Sequence, residues 1–287
     1  MSTRIWFGIH APPEGRDFAE TKHICQTAEE MGFDLFTITD HFMNMRNPYG
    51  VGNHPLESWT TLAALAAVTR KIKLATLVSC YAYRRPTVLA KMATTVDIIS
   101  GGRLILGVGA GWHEEEFKGF IGDFPSSKER LRGLRETIEI CKAMFTSEHT
   151  TYNGRLYSIS NVLNSPQPVQ RPIPIMVGGS GEKVTLKIAA RYADISHLFA
   201  SDLGQLEHKL AVLKRHCEAV GRDYSNVSKA TSMNLGDLAR GNSLEDTVNT
   251  ITEYKKRGIS LITLRFSSLD DLQIFSKEIM PRFQTSL

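Results

Sequence analysis

The sequence predicts an α/β fold, a (β/α)8 TIM barrel carrying an insertion between its fourth and fifth strands. Three observations predict it. Short apolar runs alternate with long amphipathic ones from end to end of the 287 residues. The short runs are almost continuously apolar and rich in β-branched and aromatic residues, as strands buried on both faces must be. The long runs are bounded by residues that start and stop helices. Eight strand–helix units fit a closed barrel, although an open doubly wound sheet shows the same alternation. At about 150 residues per domain the length allows two domains, but α/β barrels run longer as one. Residues 1–287 are therefore read as one barrel domain, with an insertion at about 113–173.

The units run as follows. Ile5–Ile9 is the first strand and Phe18–Met31 its helix, with Asp17 as N-cap, Glu20 placed as in a capping box, and Gly32 as the stop. Leu35–Thr39 and Trp59–Val68 make the second unit; Lys73–Val78 and Thr87–Ile99 make the third, ended by Ser100-Gly101-Gly102. Leu104–Gly109 and Glu129–Phe145 follow, then Pro174–Val177 with Lys183–Tyr192, and Ile195–Leu198 with Leu206–Val220. Val227–Met233 with Leu244–Arg257, stopped by Gly258, and Leu261–Phe266 with Leu269–Met280 complete the series. Within the insertion, Thr150–Tyr152, Asn153-Gly154 and Arg155–Ile159 read as a hairpin with a type I′ turn. The SPQPVQRPIP run that follows must be extended, because proline lacks the N–H and the φ freedom a helix needs.

Composition narrows the function. The chain carries 34 Lys and Arg against 30 Asp and Glu, a formal charge of +4. The basic residues are spread along the sequence without a clustered stripe, so no nucleic-acid partner is expected. Four widely separated cysteines form no CxxC pair, and the nine histidines form no HxH or HExxH spacing, so no metal is expected. The N-terminus lacks a signal-peptide core and no 18 apolar residues run together, which predicts a cytoplasmic protein with no membrane partner.

In a barrel the residues just after each strand line the active face. Asp40-His41 follows the second strand; a histidine there can move a proton near neutral pH, or the pair can cap a turn and pack under a loop. The run Gly107 to Trp112 fails the dinucleotide fingerprint because Trp112 stands where a glycine is required. Its glycines either let a strand end approach a planar ligand or make a tight turn. Val177 to Lys183 (VGGSGEK) sets small residues before a helix, where free N–H groups and the helix dipole favour a phosphate. No GxSxG elbow exists, and Cys80 has no visible partner.

Taken in order, several segments resemble the luciferase-like monooxygenase superfamily, and especially its F420-dependent oxidoreductase subgroup. They are TDHF (Thr39 to Phe42), Leu56 to Val78, Tyr83 to Trp112, and Ser165 to Asp194. The resemblance implies a barrel binding the deazaflavin coenzyme F420, or alternatively FMN, with the ring in the mouth. It implies His41 near the reactive centre as proton donor or charge stabiliser, with Asp40 beside it. It implies a bulged third strand with a non-proline cis peptide, aligned here on Thr76-Leu77, and Ser79 at the ring edge. Ala110 and Gly111 would pass close to the ring, Glu115 takes the place of a cofactor-contacting asparagine, and Gly178, Gly179, Ser180 and Gly181 would hold the phosphate. Arg84-Arg85 reads either as surface charge or as contact to an anionic cofactor tail. The implied activity is hydride transfer between a small organic substrate and F420. The alternatives are an FMN-dependent monooxygenase using O2 and a non-catalytic flavin-binding protein. Many members are dimers, so a homodimer is expected.

Overall fold

A computed structural model describes residues 4–236, 238–240 and 243–284. Among them, all but one pair of strands are parallel and close on themselves. Going round, the staves are β1 (Trp6–His10), β2 (Leu35–Ile38), β3 (Lys73–Thr76) continued by β4 (Ser79–Cys80), and β5 (Leu104–Gly109). Then follow β8 (Ile175–Gly178), β9 (Ile195–Leu198), β10 (Ser228–Asn234) and β11 (Leu261–Arg265), which pairs back onto β1. The pairing of Leu74 and Ala75 with Leu104 and Ile105 seals the ring. Closure, which alternation could not decide, is thus a TIM barrel.

The helices α1 (Phe18–Glu30), α2 (Ser58–Val68) and α3 (Pro86–Ser100) follow their strands as the apolar spacing predicts. Asp17 accepts the backbone N–H of Glu20 at 2.8 Å, and Gly101 closes α3 in the left-handed conformation at φ 69°. Two apolar layers result. Phe36, Leu74, Leu106, Val177 and Ile262 face the helices, whereas Leu35, Ala75, Ile105, Met176, Ile195, Ala230 and Leu261 fill the lumen. Side chains alternate along a strand, so each lumen residue has an inward neighbour two positions on. Those neighbours are Thr37, Leu77, Gly107, Gly178, His197, Ser232 and Thr263, and two of them have no side chain.

The third stave explains the missing side chains. Ala75 pairs with Ile105 but Ser79 with Val108, so β3–β4 spends four steps where β5 spends three. That extra residue is a β-bulge. The non-proline cis bond lies inside it at Leu77–Val78, one residue beyond the expected Thr76–Leu77. The bulge drives Val78 against its neighbours. A Cβ on Gly109 would sit 2.7 Å from Val78 Cγ2, one on Gly178 2.8 Å from Val78 Cγ1, and one on Gly107 1.8 Å from the Thr76 carbonyl. The glycines of the fourth and fifth staves first make room for the protein's own backbone.

Between β5 and β8 come a short helical turn α4 (Glu114–Glu116), a π-turn Phe117–Ile121, α5 (Ser127–Thr146) and the hairpin β6 (His149–Asn153) with β7 (Ser158–Leu163). A full capping box, Ser126 with Glu129, starts α5. This helix packs between α3 and α6 (Thr185–Tyr192), where the barrel's own fourth helix belongs, so the added material is the turn and the hairpin. The hairpin is not a type I′ turn. Asn153 pairs with Ser158 and neither Asn153 nor Gly154 has positive φ. The buried Glu136 carboxylate instead accepts the N–H groups of Arg155, Leu156 and Tyr157 at 2.9–3.1 Å, which shapes a longer loop that local turn chemistry could not foretell. The run from Ser165 to Pro174 forms neither helix nor strand; it bends at Pro166 and over residues 169–172 rather than running extended, with cis bonds at Ser165–Pro166 and Arg171–Pro172. The remaining helices are α7 (Leu203–Ala219), α8 (Leu244–Lys256), α9 (Leu269–Ile274), continued by a π-turn to Ile279, and α10 (Pro281–Gln284). Among the described residues no helix is long and apolar enough to cross a membrane.

Candidate active site at the barrel mouth

The C-terminal ends of the strands enclose a cavity of about 510 Å3. Its floor is the bulge, Leu77–Val78. One wall is the run Gly109 to Trp112 and the opposite wall is Gly178 to Gly181 with Thr185. Asp40, His41 and Tyr83 close one end and Phe199 the other. An apolar floor between walls rich in glycine leaves backbone-close room for a ring.

His41 is held in a buried network. Its Nδ1 lies 2.7 Å from Glu116 Oε2, and Glu116 has no solvent exposure. The other carboxylate oxygen accepts the N–H groups of Phe42 at 2.7 Å and Met43 at 3.0 Å, and the Tyr83 hydroxyl donates to the same carboxylate. Burial alone would raise the Glu116 pKa; the hydrogen bonds from His41, Tyr83 and the backbone outweigh it and hold the group below its ordinary value. An ionised Glu116 can only accept, so His41 Nδ1 carries a proton toward it and Nε2 is left for the cavity. Trp112 and His113 meet the imidazole edge-on at 5.8 and 6.0 Å.

Asp40 plays a different part. Arg84 grips its carboxylate in a two-pronged pair, Nη1–Oδ2 2.7 Å and Nη2–Oδ1 3.1 Å, and also bonds Glu57. Arg84 is thus not free surface charge but paired within the fold. The triplet ties the loop after β2 to the start of α2 and to the turn before α3, and so sets the loop that presents His41.

The other sequence-predicted residues divide. Leu77, Ala110, Gly111, Gly178, Gly179, Ser180 and Gly181 line the cavity. Thr76 and Ser79 stand behind its floor: Thr76 donates to the Gly107 carbonyl at 2.8 Å, and Ser79 receives the Trp59 indole N–H at 3.0 Å. Glu115 faces outward with its side chain about half exposed; its neighbour Glu116 is the carboxylate that turns inward. In the fifth-stave loop, Ser180 Oγ accepts the Phe199 N–H at 2.7 Å, and α6 begins without a side-chain cap. Among the described residues the N–H groups of Ser180 and Gly181 find no internal acceptor, which leaves them for an anion. Cys80 borders the cavity, but burial pushes its thiol up to about 12, so it is no nucleophile. The described residues hold no His, Cys, Asp and Glu cluster fit for a metal ion.

Glu116 and Tyr83 were missed from sequence. A signal existed: Glu116 and Phe117 adjoin within the turn that follows Trp112, so an inward-facing position was available in the acidic triplet. Nothing local said that its partner would be a histidine 75 residues earlier.

Comparison with known proteins gives the family and the fold. A family model described as luciferase-like monooxygenase matches residues 1–235. An F420-dependent glucose-6-phosphate dehydrogenase of Gordonia bronchialis is 28% identical over 284 residues, covering 96% of this chain and 82% of the relative. The solved structure of an F420-dependent secondary alcohol dehydrogenase in complex with an F420–acetone adduct superposes with a TM-score of 0.86 at 19% identity, over 99% of this chain and 100% of that one. A riboflavin lyase structure with modified FMN gives 0.84 at 12% identity, over 98% and 93%. At those identities the two structures establish the shared fold alone.

Proposed function

Since the chain belongs to the luciferase-like monooxygenase family, we propose that it is an oxidoreductase that transfers hydride between a small organic substrate and bound coenzyme F420. The observation that carries the reading is the His41–Glu116 pair, a buried carboxylate holding an imidazole at the edge of the glycine-walled cavity. The kinship with F420-dependent dehydrogenases supports the choice of cofactor.

When bound, the deazaflavin supplies a two-electron hydride acceptor or donor. Leu77–Val78 and the run Gly109 to Gly111 would hold the ring, and the N–H groups of Ser180 and Gly181 at the start of α6 would hold the phosphate. His41 Nε2 takes the proton of a substrate hydroxyl as its carbon gives up hydride, or returns it to a carbonyl in the reverse direction. Glu116 stabilises the imidazolium formed in between, and Tyr83, with the backbone of Phe42 and Met43, keeps Glu116 in place. Asp40 positions His41 through Arg84. Trp112 in one wall and Phe199 at one end of the cavity limit water.

The whole chain is proposed to act as one barrel domain, because the last stave closes directly on the first. It is further proposed to work in the cytoplasm, as a homodimer, on a small molecule, without nucleic acid or membrane.

The test is equilibrium binding of F420 and of FMN to the apo-protein, followed by absorbance and fluorescence. F420 should bind and support substrate-dependent reduction. Tight FMN binding with no F420 affinity would give the alternative, an FMN-dependent monooxygenase using O2, and the likeness to the riboflavin lyase makes that the second reading. Binding of either without turnover on any alcohol or carbonyl substrate would favour a non-catalytic flavin-binding protein.

A further inference from the structure

Outside the mouth the molecule carries a second groove, of about 730 Å3, between α5 and α6. Six cations line it and no carboxylate does: Lys128, Arg132 and Arg135 from α5, and Lys183, Lys187 and Arg191 from α6 and the loop before it. Lys128, Arg132 and Arg135 are spaced to share one face of α5, and Lys187 and Arg191 one face of α6, with Lys183 in the turn just before it. Among the described residues only Arg135 has an acidic partner, Glu136 at 3.6 Å. Like charges four residues apart oppose helix formation, and soluble surfaces ordinarily intersperse the two signs. A net charge of only +4 makes such a concentration conspicuous. The groove floor is apolar, Leu131 and Ile188, so an occupant lies along it rather than merely near it.

The groove and the mouth share a wall. Gly178 to Gly181 and Thr185 face the mouth, whereas Lys183, Val184 and Lys187 of the same stretch line the groove. A chain attached to a phosphate held at Ser180 and Gly181 therefore leaves the mouth directly beside the cations. Resting on the reading of F420 as the cofactor, we propose that the α5–α6 groove is a docking track for the flexible polycarboxylate tail of that cofactor. The ring is bound by shape in the mouth and the tail by charge outside it. Several cations on a flexible anion act through screened, geometry-tolerant attraction, so tails of different length are all accepted and affinity rises with their charge.

The experiment compares F420 carrying several glutamates with the tail-free phosphorylated deazaflavin, by fluorescence titration at low and at about 0.5 M salt, in the wild type and in the double variant Lys128→Glu/Lys187→Glu. Both substituted residues are exposed, and an unchanged melting temperature verifies the fold. The expected result is roughly tenfold tighter binding of the tailed form at low salt, given several exposed ion pairs each worth up to about a factor of five. That advantage disappears at high salt and in the double variant, while affinity for the tail-free form stays within about twofold. Equal affinity for tailed and tail-free cofactor in the wild type overturns the tail track and leaves the F420 reading intact. Binding of FMN but of neither deazaflavin overturns that reading itself.

Discussion

The mouth and the α5–α6 groove are built on opposite electrostatic plans. In the mouth every charge has a buried partner: Glu116 holds His41, and Arg84 holds Asp40 and Glu57. In the groove six cations line one cleft, and only Arg135 meets an acid among the described residues. Buried pairs cannot move without leaving a charge unsolvated, so they fix geometry to a fraction of an ångström. Exposed unpaired charges fix nothing, but they attract over about 8–10 Å at ordinary salt. One arrangement suits moving a proton at a stated atom, the other suits holding a flexible anion.

The largest effect expected from breaking this contrast is at His41. His41→Ala should lower turnover by about 10²–10⁴-fold with cofactor affinity changed far less; unchanged turnover in steady-state assays removes His41 from the mechanism. Glu116→Ala comes next. It strips the partner from His41, Tyr83 and two backbone N–H groups at a fully buried position, and should cost about 3–5 kcal/mol in urea unfolding. A loss below about 1 kcal/mol would mean that the network does not set the loop. Gly109→Ala tests the bulge: the added Cβ meets Val78 at 2.7 Å, and overpacking should cost about 1–3 kcal/mol, whereas Gly101→Ala meets no neighbour within 4 Å and pays only for its positive φ.

Acid should act on the lumen rather than the groove. Burial, reinforced by Arg265, lowers His10 and His197 to about 3. Both are neutral in the folded state, whereas the unfolded chain protonates its histidines near 6.5. Between about pH 6.5 and 3 the unfolded state binds more protons, so stability falls as pH drops, by about 1.4 kcal/mol per unit for each histidine. Urea midpoints measured from pH 7 to pH 5 should decline accordingly, and a flat series would place charged histidines in the lumen. The smallest effect belongs to the groove: Lys128→Glu/Lys187→Glu should shift stability by no more than about 0.5 kcal/mol, its consequence appearing only in salt-dependent cofactor affinity.

The fold was legible because it depends on local signals repeated many times. Apolar runs such as Leu104–Gly109 and caps such as Asp17 and Gly101 each act over a few residues, and the α/β alternation follows from their order. The cavity-lining residues after β2, β5 and β8 were legible for the same reason, since strand ends define the mouth. The exact face of each residue was less so. Ser79 and Thr76 turn behind the floor because a bulge shifts their register, and a bulge is a property of two paired strands, Ala75 with Ile105 and Ser79 with Val108. Glu115 and Glu116 are chemically identical in sequence; only the packing of Phe117 and the approach of His41 choose between them.

Sequence alone determined the alternation of elements and the presence of His41 at a strand's end, because each rests on periodicity and capping within one segment, whereas the pairing of β3 with β5 closed the strands into a barrel. Tertiary structure alone decided which acid serves that histidine, why Gly107, Gly109 and Gly178 must be glycine, and that basic residues spread along the chain meet in one groove. The spread of Lys and Arg that argued against a basic patch describes spacing along the chain. Charges act through space, and α5 and α6, 38 residues apart from the end of one to the start of the other, lie side by side.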